Sequence, residues 1–139
     1  MNKSIFIAMV FLFTIATSFA QNGIPKEVLT AFSQKYPNVK KAKWDKENKD
    51  YEAGFEVDKI DNSVLFDVKG NILETEVAIA KSQLPNGVLE YVAKHYVGQK
   101  VKGSAKINST KEGVIFEVEV KGKDLLFDPN GKFIRESKD

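Results

Sequence analysis

The sequence predicts an α+β fold. It reads as a tandem duplication of a helix plus a four-stranded antiparallel sheet, joined as one twisted sheet with both helices on one face. Three observations predict it. Ile24-Pro25, Val28, Leu29 and Tyr36 return 60 residues later as Leu84-Pro85, Val88, Leu89 and Tyr96. Phe55-Glu56-Val57 and Leu65-Phe66-Asp67 with Gly70 return 61 residues later as Phe116-Glu117-Val118 and Leu126-Phe127-Asp128 with Gly131. Between these matches run short stretches that alternate apolar and polar residues, the period of a half-buried strand. Self-similarity at a fixed period marks one supersecondary unit used twice.

Each unit opens with a helix. Pro25 suits the first helical position, where its missing N–H costs nothing. Val28, Leu29, Phe32 and Tyr36 follow at helical spacing and Pro37 ends the run. The second helix reads Pro85, Val88, Leu89, Val92 and Tyr96, and stops at Gly98. Both stripes are expected to face a core, each large apolar side chain contributing about 1.5–3 kcal/mol on burial.

Four strands follow each helix. In the first unit they are predicted over 39–45, with Ala42 and Trp44 on one face, over 51–58, over 63–68 and over 72–79. Tyr51, Ala53, Phe55 and Val57 alternate there with Glu52, Gly54, Glu56 and Asp58. Leu73, Thr75, Val77 and Ile79 alternate in the fourth strand. In the second unit the strands are predicted over 101–108, 114–121, 123–128 and 132–136. Asp67 to Asn71 and Asp128 to Lys132 each place Asp ahead of a tight turn and Gly where φ turns positive. The helix-free face is expected to carry Glu52, Glu56 and Asp58 from one unit, and Glu117, Glu119 and Lys121 from the other.

The first twenty residues read as a signal peptide and not as fold. Lys3 precedes an apolar run of about a dozen residues, shorter than the roughly 20 that a membrane span needs. Ser18-Phe19-Ala20 has the small residues that signal peptidase accepts. The domain reading is therefore signal peptide 1–20, first repeat 21–83 and second repeat 84–139. Without Lys3 the chain keeps 20 basic and 19 acidic side chains, which argues against bulk electrostatic binding of a polyanion. No cysteine is present, so disulfides, thiol catalysis and thiolate metal sites are excluded together. A half of this size is marginal alone, and the two halves are expected to share one core.

These features resemble the PepSY-like family of exported bacterial proteins, also labelled putative beta-lactamase-inhibitor-like. The resemblance rests on Ile24-Pro25 to Tyr36-Pro37 with Leu84-Pro85 to Tyr96, on the strand Tyr51 to Val57, and on the turns Phe66 to Gly70 and Phe127 to Gly131. It implies a small periplasmic or secreted protein of tandem α+β repeats. Related inhibitors bind enzymes with the open face of a curved sheet, and PepSY domains are associated with restraint of peptidases. The family supplies no catalytic motif, so no site residue is inherited from it.

The residues themselves favour binding over catalysis. His95 is the one histidine, and it sits near a helix C-terminus, where its charged form is favoured. One histidine and no cysteine do not make a zinc site, and the two Asp turns are too short for a calcium loop. The pairs Glu52/Glu56 and Glu117/Glu119 raise the possibility of carboxylate catalysis, but a flat sheet face offers neither a cleft nor a raised pKa. Lysines 40, 41, 43, 46 and 49 around Trp44 are interleaved with acids, against a nucleic-acid strip. Trp44 is either a core residue or, on an exposed face, a binding anchor.

The reading is therefore a non-enzymatic exported binding module, periplasmic or secreted, engaging an unknown protein or cell-envelope component through the open sheet face. The expected contacts are Trp44, Tyr51, Glu52, Glu56, Glu117 and Glu119. No cofactor, metal or nucleic acid is expected, and the membrane is met only through the cleaved signal peptide. Two alternatives stay open: an inhibitor or regulator of an exported peptidase or other hydrolase, and a small carboxylate-dependent hydrolase.

Overall fold

A computed structural model describes residues 23–138. The expected signal peptide over 1–20 and the mature start at Gln21 lie outside the described residues. The fold is α+β, with two helices and one eight-stranded antiparallel sheet. The elements run α1 (Lys26–Lys35), β1 (Lys43–Glu47), β2 (Asp50–Val57), β3 (Ile60–Phe66) and β4 (Ile72–Ala78). After a 3-10 turn over Lys81–Gln83 come α2 (Val88–His95), β5 (Gly103–Ser109), β6 (Gly113–Val120), β7 (Lys123–Phe127) and β8 (Phe133–Lys138). The strands lie in the sheet in chain order, β1 to β8. Two compact units divide the chain. One holds the residues up to Val77 together with Ile107–Gly113, and the other holds Ala78–Lys106 and the residues from Val114 onward.

The first unit is organised around Phe32 of α1. Its ring lies 5.2 Å from Trp44, 5.3 Å from Phe55 and 6.5 Å from Phe66, all edge-on, and 5.4 Å from Tyr36. Edge-on aromatic pairs are worth about 0.5–1.5 kcal/mol each beyond the area they bury. Val28, Tyr51, Ala53 and Val64 complete the buried cluster. Strand parity puts Trp44, Ala53 and Val64 in one row across β1, β2 and β3, directly beneath the helix.

The second unit buries Val88 and Val92 of α2 against Val118, Val120, Leu125 and Phe127. Tyr91 meets Phe127 edge-on at 5.5 Å and stacks on Phe133 at 4.8 Å. The Tyr96 hydroxyl donates to Glu136 Oε2 at 2.6 Å, and Lys123 Nζ donates to Glu136 Oε1 at 2.9 Å. Burial, then the Glu136 hydrogen bond, pushes the Tyr96 phenol up to about 12.

In both units the turn after the third strand is tied down by its aspartate. Asp67 Oδ1 accepts from the backbone N–H of Lys69 and of Asn71, both at 2.9 Å, and Oδ2 accepts from the Asn71 side chain at 2.8 Å. Asp128 Oδ1 accepts from Asn130 N–H at 2.8 Å and Lys132 N–H at 2.9 Å. These turns then press on the helix starts. Gly70 has φ +84°, and a Cβ there would lie 2.7 Å from the Glu27 carbonyl oxygen. Gly131 has φ +81°, and its Cβ would collide with the Asn86 carbonyl oxygen. Glycine is required at both positions by conformation and by space.

Several expectations need correction. Pro25 is the N-cap of α1 and not its first helical residue, and α2 begins only at Val88 because Asn86-Gly87 makes a turn after Pro85. Leu89 points outward at 42% exposure, and Tyr91 takes the place expected for it in the stripe. The first strand starts at Lys43, four residues later than expected. Asp58 and Lys121 are turn residues and not part of a strand face.

The offset of 61 also fails to hold in the sheet register. Phe55 opposes Asn62, whereas Phe116 opposes Phe127, the place that Tyr51 holds opposite Phe66. The turn position decides register. The first hairpin turns at Asp58-Lys59 and the second at Lys121-Gly122, 63 residues on, so each facing strand is displaced. By register Glu117, opposite Leu126, occupies the place of Glu52, opposite Leu65.

Gly70→Ala should lower the unfolding free energy by more than about 2 kcal/mol, adding a steric clash to the left-handed backbone cost. Gly113→Ala, at φ +75° with nothing within 4 Å, should cost only about 1 kcal/mol. Urea unfolding of the two variants measures the difference. Equal losses would remove the turn–helix contact from the account.

Candidate functional site

Strand alternation gives the first unit two chemically opposite faces. Beneath α1 lie Trp44, Tyr51, Ala53, Phe55, Val64 and Phe66. The helix-free side carries the residues between them in cross-strand rows. One row runs Asp45, Glu52, Leu65, Glu74; the next runs Lys43, Gly54, Ser63, Glu76. Glu47 opposes Asp50 and Glu56 opposes Asp61 on the same side.

Glu52 sits at the centre of this face and is 7% exposed. Burial pushes its carboxyl up to about 7, helped by the nearby charges of Glu47, Asp45 and Glu74, and opposed by a hydrogen bond with Ser63. Burial, then Asp45, also raises Glu47. The one lysine of the face, Lys43, reaches Asp45 at 3.8 Å, but that pair is largely exposed and contributes little. In the second unit the corresponding row is Glu117, Leu126, Arg135, and the next is Glu119, Asp124, Ser137. Glu117 and Asp124 are buried. Glu119 lies against Gly103 and meets Lys102 Nζ at 4.0 Å.

This placement divides the six expected contact residues. Trp44 and Tyr51, at 5% and 9% exposure, are core residues beneath α1 and are not available on the helix-free face. The physical reason is the first turn. Trp44 stands directly opposite Ala53, and paired residues share a face. Glu52, Glu56, Glu117 and Glu119 do lie on the helix-free side. Among them Glu52 and Glu117 are buried and Glu56 is exposed. The expectation that no carboxylate here has a raised pKa is wrong for Glu52. Its imagined partner Glu56 is nonetheless four residues along the strand, about 13 Å away, beyond glycosidase spacing.

Sequence reasoning missed Asp45, Glu47, Asp50, Asp61, Glu74 and Glu76. The signal was present in parity: once Trp44 is a core residue, Asp45 and Glu47 fall on the other face, as Glu74 and Glu76 do when Thr75 faces inward. His95 is exposed, stacked on Tyr91 at 4.0 Å, with Nδ1 3.0 Å from the Tyr91 carbonyl oxygen of its own helix. No group of three or more acidic or histidine side chains converges on a metal-sized point among the described residues. No helix among them is long and apolar enough to cross a membrane.

The pH dependence of Glu52 has a definite sign. A carboxyl whose pKa is higher in the folded than in the unfolded state makes the folded state bind the extra proton. Stability from this group is therefore full below its unfolded pKa near 4.5 and is lost as pH rises to about 7. The protein should be more stable at pH 5 than at pH 8, by at most about 3 kcal/mol, and should melt at a correspondingly higher temperature. Glu52→Gln should flatten that difference and stabilise the protein at pH 8. A pH profile unchanged by the substitution would show that Glu52 is not the group responsible.

Comparison with known proteins agrees with this architecture. The sequence profile described as "Putative beta-lactamase-inhibitor-like, PepSY-like" matches twice, over residues 14–74 and 49–135. Among curated proteins, none matches the chain. Among solved structures, a BLIP-like protein of Bacteroides fragilis is 26% identical with a TM-score of 0.62, covering 82% of this chain and 86% of its own. A DUF2874 family protein of Bacteroides uniformis is 24% identical with a TM-score of 0.70, covering 82% and 88%. A protein of Bacteroides eggerthii described as putative periplasmic is 19% identical with a TM-score of 0.71, again covering 82% and 88%. The fold is common to all three, and the two profile matches together run through most of the sequence: the chain belongs to the PepSY-like, beta-lactamase-inhibitor-like family.

Proposed function

We propose that this chain is a non-catalytic binding module of the periplasm, and that it engages a protein or envelope component through the helix-free face of its sheet. On this reading the two helix-plus-four-strand stretches are copies of one unit, and residues 1–20 are removed on export. The observation that carries the proposal is the division of labour within the first unit. Its aromatic side chains are consumed beneath α1, and its strand carboxylates are collected on the other face. Membership of an inhibitor-like family and the BLIP-like description of the Bacteroides fragilis neighbour support a partner that is itself a protein. Restraint of an exported peptidase or other hydrolase is the specific form of this reading that the family favours.

A carboxylate-dependent hydrolase is the competing reading. It is favoured by one observation, that Glu52 is held near 7 directly across from Asp45. Its difficulty is access, since Glu52 is nine-tenths buried.

Affinity capture from an envelope extract tests the proposal. The wild-type chain and a Lys35→Ser variant, altered on α1, should retain the same partner. A Glu56→Lys variant on the helix-free face should retain at least about tenfold less, a loss of about 1.4 kcal/mol. Equal capture by all three would place the binding surface elsewhere. Turnover of a glycan or peptide library, abolished by Glu52→Gln, would replace the binding module with the hydrolase.

A further inference from the structure

We infer that Asn86 is a self-modifying position. Its side-chain amide is lost to attack by the backbone nitrogen of Gly87, with water as the co-reactant, and the product releases the turn that Gly131 presses on the start of α2. The inference holds whatever partner the chain binds.

Two asparagines stand in the same local sequence. Pro85-Asn86-Gly87 and Pro129-Asn130-Gly131 share all three residues. Both asparagines are exposed. A glycine in the following position presents the least obstructed backbone nitrogen, because it has no Cβ. The other described asparagines, Asn38, Asn48, Asn62, Asn71 and Asn108, are each followed by a residue with a side chain. Asn62 and Asn71 also engage their side-chain amides, with the Ile60 carbonyl and with Asp67 Oδ2. Asn22-Gly23 is a further pair, but Asn22 lies outside the described residues. By sequence alone, Asn86 and Asn130 are equals.

The fold separates them. The Gly131 N–H donates to the Asp128 carbonyl at 2.9 Å, and the flanking N–H groups of Asn130 and Lys132 donate to Asp128 Oδ1 at 2.8 and 2.9 Å. The nitrogen that must attack Asn130 is thus engaged, in a turn pressed against Asn86 with no room for a Cβ. An N–H must leave its acceptor before it can react, which slows the reaction. The Gly87 N–H has no acceptor among the described residues. Gly87 is exposed, and a Cβ built on it meets nothing within 4 Å.

The chemistry balances without a redox partner. Hydroxide takes the Gly87 N–H proton, and the nitrogen forms a bond to Asn86 Cγ. The Cγ–Nδ2 bond breaks and ammonia leaves, taking a proton from water and restoring the hydroxide. A five-membered succinimide remains, which water opens at either carbonyl. Opening at Cγ leaves a normal aspartate. Opening at the main-chain carbonyl leaves an isoaspartate, whose backbone runs through Cβ and Cγ and is one methylene longer.

The second product bears on the fold. The Asn86 carbonyl oxygen is the atom that Gly131 presses on. In isoaspartate that oxygen belongs to a free carboxylate outside the chain path, and the added methylene lengthens the link from Pro85 to Val88, where α2 begins. The first unit has no counterpart, because Gly70 packs on Glu27 inside α1.

Incubation of the folded, exported chain at mildly alkaline pH, followed by trypsin and mass spectrometry, tests the inference. Trypsin releases the two sites separately, in peptides 82–94 and 124–132. Amide-to-acid conversion at Asn86 should run at least about fivefold faster than at Asn130, whose nucleophile must first leave a hydrogen bond. Both rates should fall at mildly acidic pH and converge in urea, where only the shared sequence remains. Equal rates in the folded chain, or a faster Asn130, overturn the inference. So does a preference for Asn86 that persists in urea, which would assign it to sequence and not to fold. Chain converted to isoaspartate at Asn86 should unfold at lower urea than fresh chain. An Asn86→Asp variant, with a normal backbone and a carboxylate at a helix start, should be at least as stable as the wild type. Converted chain as stable as fresh chain overturns the link to the Gly131 contact.

Discussion

Each unit hangs on the contact between one turn and the start of one helix. Gly70 lies so close to the Glu27 carbonyl, and Gly131 to the Asn86 carbonyl, that neither position has room for a side chain. The aspartates that shape the turns, Asp67 and Asp128, hold the glycines at that height by accepting two backbone N–H groups apiece. With the helix start fixed against the third and fourth strands, the helix has one way to lie. Its apolar stripe then meets the sheet at Phe32 in one unit and at Val88 and Val92 in the other.

That seating decides which strand residues become core. A helix of ten residues extends about 15 Å and covers only part of strands of seven and eight residues. Phe55 and Phe66 are beneath it, while Val57 and Ile60 at the hairpin end remain 40% and 45% exposed. Everything of opposite parity is turned away from the helix. The charged face is thus a consequence of the packing: once Trp44 and Tyr51 are in the core, the neighbouring acids have no other side on which to stand.

Much of this was legible in the sequence. The element order, the Asp–Gly turns, the buried alternation of Tyr51, Ala53 and Phe55, and the absence of thiol chemistry all follow from local patterns. The face of Trp44 was not legible, because it depends on pairing with Ala53 across a turn whose position the sequence leaves open between Asn48 and Lys49. Register in the second unit was hidden for the same reason. Phe116-Glu117-Val118 repeats Phe55-Glu56-Val57 in letters, yet the turn at Lys121-Gly122 slides it four pairs along the facing strand. Glu52 escaped notice as a special carboxylate because burial and three neighbouring charges come from four different strand positions. Such groupings exist only after pairing.

The single tryptophan offers the most direct test of which face the helix covers. Trp44 lies edge-on to Phe32 and beside Phe66, so its indole is enclosed by α1. Acrylamide quenching of its fluorescence in the folded exported chain should be weak, with emission at the short wavelengths of an apolar site, and both should revert on unfolding in urea. Strong quenching and long-wavelength emission in the folded protein would put Trp44 in water. The helix would then cover the other face, and the charged surface described above would be the core.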